Sequence, residues 1–326
     1  MNNLSRKSEN GSRKPKPSQN GSSQDIQSSE IFGKGSMQEQ LNTSLDLRPT
    51  LLVWNDLYNE IANRKDKPEY PIGLKSIDDV LWGLHKRELI VIGGRPSQGK
   101  SAFAIQMAKN LADINKRIIY FSLEMSREQL IERMFCNICE VNNIHLRQGK
   151  AKQELENKRG IFESIVKDFK LLIDDKYGYN FDKLIKVCEI IKPDFIFIDY
   201  ITMISAQGYQ SKTIAIEEYI RKLKQLTMDM NLGAIVLSQI NRSGVDNPDM
   251  SKLKWAGVLE EHPDTVVTLK WDWQGGKDIY NVHIEKQRHG EVKNVEVKFI
   301  PQYSKFRDLS KDEQHYKEVP ERADFI

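Results

Sequence analysis

Apolar positions are spread unevenly along this 326-residue chain. From Met1 to Glu30 the strongly apolar residues are Met1, Leu4 and Ile26, set among Ser, Asn, Gln, Lys and Pro. Such a segment buries too little surface to offset its ordering entropy, so a disordered tail is expected over 1–35. After Pro49 and a capping candidate at Thr50, Leu51, Trp54, Leu57, Tyr58 and Ile61 recur at helical spacing. This predicts an amphipathic helix inside a linker covering 36–68, which either packs on its own domain or docks on a neighbouring subunit.

From Tyr70 onward strand-like runs alternate with helical patterns: Leu89 to Ile92, a helix from Lys100, Ile118 to Phe121, a helix from Arg127, and Leu171 to Ile173. A helix from Phe181, the run Phe195 to Ile198, a helix from Ile214, and strands at Ala234 to Leu237 and Val266 to Leu269 continue the series. Tyr280 to Ile284 and Val295 to Ile300 read as a hairpin. Alternating strands and helices require crossover connections, hence a mainly parallel sheet with helices on both faces and the antiparallel hairpin at its edge. One α/β domain is therefore expected over 69–309, followed by a frayed polar tail over 310–326.

Composition changes this picture little. Apolar residues make up 39% and charged residues 29%, as in globular chains. The N-terminus lacks the apolar stretch of a signal peptide, and no apolar run approaches the roughly 20 residues of a membrane-spanning helix. Three cysteines in so long a chain make no disulfide framework, which fits a reducing compartment, and a cytoplasmic protein is expected. A net charge of +3 decides nothing about nucleic acid, because the clustering of Lys and Arg matters more than their sum.

The chemistry is concentrated in short motifs. Gly94-Arg95-Pro96-Ser97-Gln98-Gly99-Lys100-Ser101 fits the phosphate-loop pattern, follows the strand ELIVIG and opens the helix SAFAIQMAKN, which is the context that pattern requires. Glycines let backbone N–H groups wrap phosphates, Lys100 reaches the β and γ oxygens of a nucleotide such as ATP, and the Ser101 hydroxyl suits Mg²⁺. Asp199 ends the apolar strand FIFID, at the edge where ligands sit in such folds. There it is the expected magnesium-associated carboxylate, although an apolar run ending in Asp is also an ordinary strand end. Glu124, just after the strand at Ile118 to Phe121, is placed at the same edge and suits a base that activates water; a solvated helix start is the alternative.

Gln239 ends another strand where a γ-phosphate would lie, with Asn241 and Arg242 following. Lys286-Gln287-Arg288-His289-Gly290 is expected to end an edge strand with two cations beside a turn. It either presents Arg288 to something outside the protomer or is a solvated basic turn. Cys136 and Cys139 have metal-ligand spacing, but no second pair accompanies them, so zinc is not assigned.

Taken together and in order, GGRPSQGKS, YFSLEMS, FIFIDY, VLSQINRS and IEKQRHG resemble the motor domain of DnaB-type replicative helicases. The resemblance spans about Tyr70 to Leu309 and implies a RecA-like P-loop NTPase fold. It further implies a ring hexamer that hydrolyses ATP with Mg²⁺ between subunits and moves 5′ to 3′ along single-stranded DNA. By the same resemblance Lys100 and Ser101 are the phosphate-loop pair, Glu124 the catalytic glutamate, Asp199 the magnesium-associated aspartate and Gln239 the coupling glutamine. Lys286 and Arg288 become the cations that reach a neighbour's ATP. Single-stranded DNA would be tracked by loops after Asp199 and after Arg242, including Lys212, Arg242, Lys254 and Gly257. Where the family carries Arg-Glu-Ser-Gly and Glu-Gln-Asp-Ala-Asp, this chain has Lys254-Trp255-Ala256-Gly257 and Glu260-Glu261-His262-Pro263-Asp264, so a point-charge Lys replaces a bidentate Arg. The helical N-terminal domain of fuller members has no counterpart here, which points to a phage or mobile-element helicase or a truncated paralogue, with a primase and a helicase loader as implied partners. A RecA- or RadA-like recombination ATPase and a non-motor scaffold remain the competing readings.

Overall fold

The computed structural model describes residues 50–176, 178–239, 261–271 and 279–315. Two compact units divide at Lys65 and Asp66. Within the first, α1 (Thr50–Ala62) carries no buried residue. Leu51, Leu52, Val53, Trp54, Leu57, Tyr58 and Ile61 are all exposed, with the Trp54 and Tyr58 rings 6.1 Å apart.

The second unit is built on nine strands: β1 (Leu89–Gly94), β2 (Ile118–Ser122), β3 (Leu171–Asp174), β4 (Phe195–Asp199), β5 (Gly233–Gln239), β6 (Thr265–Trp271), β7 (Ile279–Gln287), β8 (Lys293–Ile300) and β9 (Lys305–Asp308). They form one sheet in the order β3-β2-β4-β5-β1-β6-β7-β8-β9. The six strands from β3 to β6 in that order are parallel, and β7, β8 and β9 add on antiparallel. Around them lie α2 (Lys75–Leu81), α3 (Lys100–Asp113), α4 (Arg127–Cys139), α5 (Asn143–Arg147), α6 (Lys152–Val166), α7 (Phe181–Ile191), α8 (Lys212–Met230) and α9 (Lys311–His315).

Strand alternation explains why both faces need cover. Ile90, Ile92, Tyr120, Phe195, Phe197, Ile235 and Leu237 point into one core with Phe103, Ala104 and Met107 of α3. Leu89, Val91, Ile119, Phe121, Ile196, Ile198 and Val236 point into the other with Leu184 of α7 and Ile220 and Leu223 of α8. Strands with both faces buried read as continuous apolar runs, and for this reason β1, β2 and β4 are plain in the sequence.

Three features differ from expectation. β7 is not an edge strand, because it lies between β6 and β8, and β9 beyond β8 extends the antiparallel part past the hairpin. The segment after Leu309 begins as α9 rather than fraying. Glu313 there accepts from Lys298 Nζ at 2.9 Å and from Arg307 Nη1 at 2.7 Å, which ties the turn to β8 and β9. Helices α5 and α6 are also additional: α6 has no fully buried residue and packs through partly buried side chains such as Phe162 against Phe135.

The expected disordered tail of 1–35, together with Arg242, Lys254 and Gly257, lies outside the described residues. Among those described, no helix is long and apolar enough to cross a membrane, and Cys136, Cys139 and Cys188 are buried and free.

Candidate nucleotide site

The site lies at the carboxyl ends of β1, β2, β4 and β5. β1 delivers Gly94 into the loop, and the loop closes on α3, whose N-cap is Gly99 at φ 74°. A side chain on Gly94 would stand 3.2 Å from Lys100 Cγ, and one on Gly99 would stand 3.2 Å from the Phe306 ring. Gly94 therefore leaves room for the Lys100 stem, and Gly99 combines a close approach with a left-handed backbone. Ser97 also adopts positive φ, at 63°, and Gln98 Oε1 braces the loop by accepting from the Arg95 N–H at 3.0 Å. Pro96 fixes φ beside them. The first N–H groups of α3 have no partner within the helix and face a position suited to phosphate.

Lys100 is buried, and its Nζ donates to the Gly94 carbonyl at 2.9 Å and the Arg95 carbonyl at 2.7 Å. Burial lowers the ammonium pKa to about 8, against the opposing pull of the Asp199 and Glu124 carboxylates. Phosphate oxygens would restore the charge, so nucleotide binding should take up a proton at alkaline pH. Calorimetric titrations in buffers of different ionisation enthalpy should show uptake growing as pH rises from about 7.5 to about 9. Uptake that stays flat across that range would contradict this reading of Lys100.

Asp199 is 2% exposed. It accepts a hydrogen bond from the Tyr120 hydroxyl at 3.0 Å and another from the Ser101 side chain. Burial raises its carboxyl above the usual aspartate range, while those two hydrogen bonds and the charges of Lys100 and Arg133 pull it back. Register explains the Tyr120 contact: Tyr120 pairs with Phe197 across β2 and β4, and the two rings stack at 5.6 Å, which carries the hydroxyl to the strand end.

Glu124 projects from the turn between β2 and α4. Ser122 Oγ donates to the Met125 carbonyl, the Leu123 N–H donates to the Asp199 carbonyl at 2.8 Å, and Ser126 caps α4 in a reciprocal box with Gln129. The residues on either side of Glu124 are thus tied down while its own side chain stays exposed at the mouth of the site. Partial desolvation, with the Asp199 charge adding, raises its carboxyl above the ordinary glutamate range; Lys100 and Arg133 oppose this. Gln239 ends β5 opposite Gly94 and shares a side-chain hydrogen bond with Tyr200, whose hydroxyl also feels the Glu124 charge. Lys100, Ser101, Glu124, Asp199 and Gln239 are therefore gathered at one edge. Tyr120 and Tyr200, present in YFSLEMS and FIFIDY but given no role there, and half-buried Arg133, which no motif contains, join them. Tyr120 alone left a readable trace, as the inward-facing position of YFS two residues before the strand end.

No group of three or more His, Cys, Asp or Glu among the described residues could hold a metal ion. A hydroxyl and one carboxylate suit Mg²⁺, which keeps several waters and takes further ligands from phosphates.

Lys286 and Arg288 stand elsewhere. Arg288 follows β7, its N–H donating to the Asp264 carbonyl at 3.0 Å, and Asp264 in turn adjoins Leu89 at the opposite end of β1 from Gly94. Five strand steps separate Leu89 from Gly94, about 16 Å. The Arg288 side chain is 44% exposed and its Nη2 donates to the Glu261 carbonyl at 2.9 Å, a carbonyl that Lys286 Nζ also reaches at 3.5 Å. Lys212, expected in a loop, is the first residue of α8, which Ser211 caps.

The family model for the DnaB-like helicase C-terminal domain matches residues 70–308. The chain belongs to that family. Family relatives include the replicative DNA helicase DnaC of Bacillus subtilis, 30% identical over 293 residues that cover 84% of this chain and 64% of the relative. Another is the replicative DNA helicase DnaB of Geobacillus stearothermophilus, 32% identical over 74% of this chain and 57% of the relative. The chain thus spans less than two thirds of the length of these relatives. Among solved structures, an isolated ATPase domain superposes with a TM-score of 0.73 at 27% identity, covering 85% of this chain and all of that one. A DnaB-like replicative helicase studied with primase gives 0.75 at 25% identity, over 86% of this chain and 73% of that one. The α/β architecture is accordingly the RecA-like fold of DnaB-type ATPase domains.

Proposed function

We propose that the chain is the motor of an ATP-dependent replicative DNA helicase: a ring hexamer that hydrolyses Mg²⁺-ATP between subunits and moves 5′ to 3′ on single-stranded DNA. One observation carries this reading. The phosphate loop leaves one end of β1 while Arg288, two strands away after β7, adjoins Asp264 and Leu89 at the other end, so an arginine cannot span the roughly 16 Å to serve its own nucleotide, whereas a second subunit packed edge to edge could receive it.

In this scheme the loop from Gly94 to Ser101 cradles the phosphates, Lys100 holds the β and γ oxygens, and Ser101 with Asp199 serves the magnesium ion. Glu124 orients and deprotonates the attacking water. Gln239, next to Tyr200, senses the γ-phosphate. Arg288 and Lys286 neutralise charge developing on the neighbour's γ-phosphate. DNA would run past Lys212, Arg242, Lys254 and Gly257, and primase and a loader are the expected protein partners. Strand displacement on forked DNA with either a 5′ or a 3′ tail tests the reading: ATP-dependent unwinding of the 5′-tailed fork supports it. ATP turnover without displacement would favour a recombination ATPase, and no turnover a scaffold.

The exposed apolar face of α1 supports assembly through that helix. Each large side chain buried on a neighbour would contribute about 1.5–3 kcal/mol, enough to decide an oligomeric state. Deleting residues 51–62 should dissolve rings that survive deletion of residues 1–30. Light scattering with ATP measures this; rings that persist without the helix would remove it from the interface.

A further inference from the structure

We propose that Asp264 is the positioning residue for Arg288, fixing the guanidinium that one subunit offers to the next. The proposal rests on the reading of Arg288 as a finger acting between subunits.

Asp264 immediately precedes β6 and its side chain is 4% exposed, in a place where a carboxylate is costly unless paired. Its two oxygens are divided between two tasks. Oδ2 accepts from the Leu89 N–H at 2.8 Å and from Lys224 Nζ at 2.7 Å, so it is anchored to the start of β1 and to α8. Oδ1 is turned toward Arg288, whose Nε lies 3.5 Å away. The main chain repeats the link: the Asp264 N–H donates to the Leu89 carbonyl at 2.9 Å, and the Asp264 carbonyl accepts from the Arg288 N–H at 3.0 Å.

A long, half-exposed arginine ordinarily samples many rotamers. Here the root of its guanidinium faces a buried anion, and the tip is held by the Glu261 carbonyl. The anion is itself held through its other oxygen by the Leu89 N–H and the Lys224 ammonium. A cation that must meet a phosphate on another subunit gains most from such pre-arrangement, because misplacement by about 1 Å can cost roughly 10²-fold in rate.

Asp264→Asn isolates this function. The amide oxygen can keep the Leu89 and Lys224 contacts, which puts the amide nitrogen, a donor, against Arg288. DNA-stimulated kcat should fall by roughly tenfold or more, with nucleotide affinity within about twofold of wild type, since the phosphate loop is at the far end of β1. The deciding comparison is the Arg288→Ala background. There Asp264→Asn should cost nothing further, because a residue that acts through Arg288 has nothing left to position. Lys224→Gln removes one anchor of the same carboxylate from a more exposed place on α8. It should show a smaller loss that also vanishes in the Arg288→Ala background, and it serves as the test if Asp264→Asn fails to fold.

Wild-type turnover in the single variants, or a loss that persists undiminished without Arg288, would overturn the role of Asp264. Arg288→Ala with unimpaired turnover would instead overturn the finger reading itself, so the two failures are distinguishable.

Discussion

Replacing Lys100 with alanine should reduce ATP turnover by about 10³-fold or more, since it removes a buried cation from the phosphate loop, in a site where oriented charge is worth far more than in water. Its Nζ already bridges the Gly94 and Arg95 carbonyls, so the loop should also lose part of its own bracing. Glu124→Gln should behave differently. Glutamine keeps the size and the exposed position but cannot accept a proton from water, so ATP should still bind while hydrolysis falls by about 10² to 10⁴. The raised carboxyl of Glu124 adds a pH signature. The base works only when ionised, so the acid limb of the rate profile should lie above the ordinary glutamate pKa. A Glu124→Gln protein that hydrolyses at the wild-type rate would remove Glu124 from the role of base.

The second large effect belongs to Arg288→Ala. It should retain nucleotide binding, because Arg288 lies at the strand end remote from Lys100, yet lose DNA-stimulated turnover by about 10³ to 10⁵, the range arginine fingers supply. Loss of binding and turnover together would mean that Arg288 supports the fold or the protomer's own site. Turnover measured beside equilibrium nucleotide binding separates the two outcomes.

Local signals made most of the site legible. The phosphate loop is contiguous, and its chemistry depends on residues within eight positions of one another. Asp199, Glu124 and Gln239 each end or follow an apolar strand, so a parallel sheet was enough to bring them to a common edge. What the sequence left hidden depends on register and on distant pairings. Tyr120 reaches Asp199 only because β2 and β4 align Tyr120 with Phe197. Asp264 meets Arg288, Lys224 and Leu89 through three separate elements, none of which announces the others. Arg133 acts on the carboxylates from α4 by charge, with no spacing to mark it. β9 was missed because KFRD is four residues long with one buried apolar side chain, Phe306. The turn at α9 was missed because it is held by Glu313 on Lys298 and Arg307 rather than by an apolar face.

The central claim, that each ATP is hydrolysed by residues of two subunits, is tested most directly by mixing Lys100→Ala with Arg288→Ala protein and measuring DNA-stimulated turnover. Each is expected to be inactive alone. In a mixed ring, an Arg288→Ala subunit supplies an intact Lys100 and a Lys100→Ala neighbour supplies an intact Arg288, so about one interface in four should be complete at equal proportions. Turnover should reappear on mixing, with mixed rings verified by native mass measurement. Mixed rings that form and recover no turnover would contradict the account, leaving Arg288 a surface cation and the ATP site the property of one subunit.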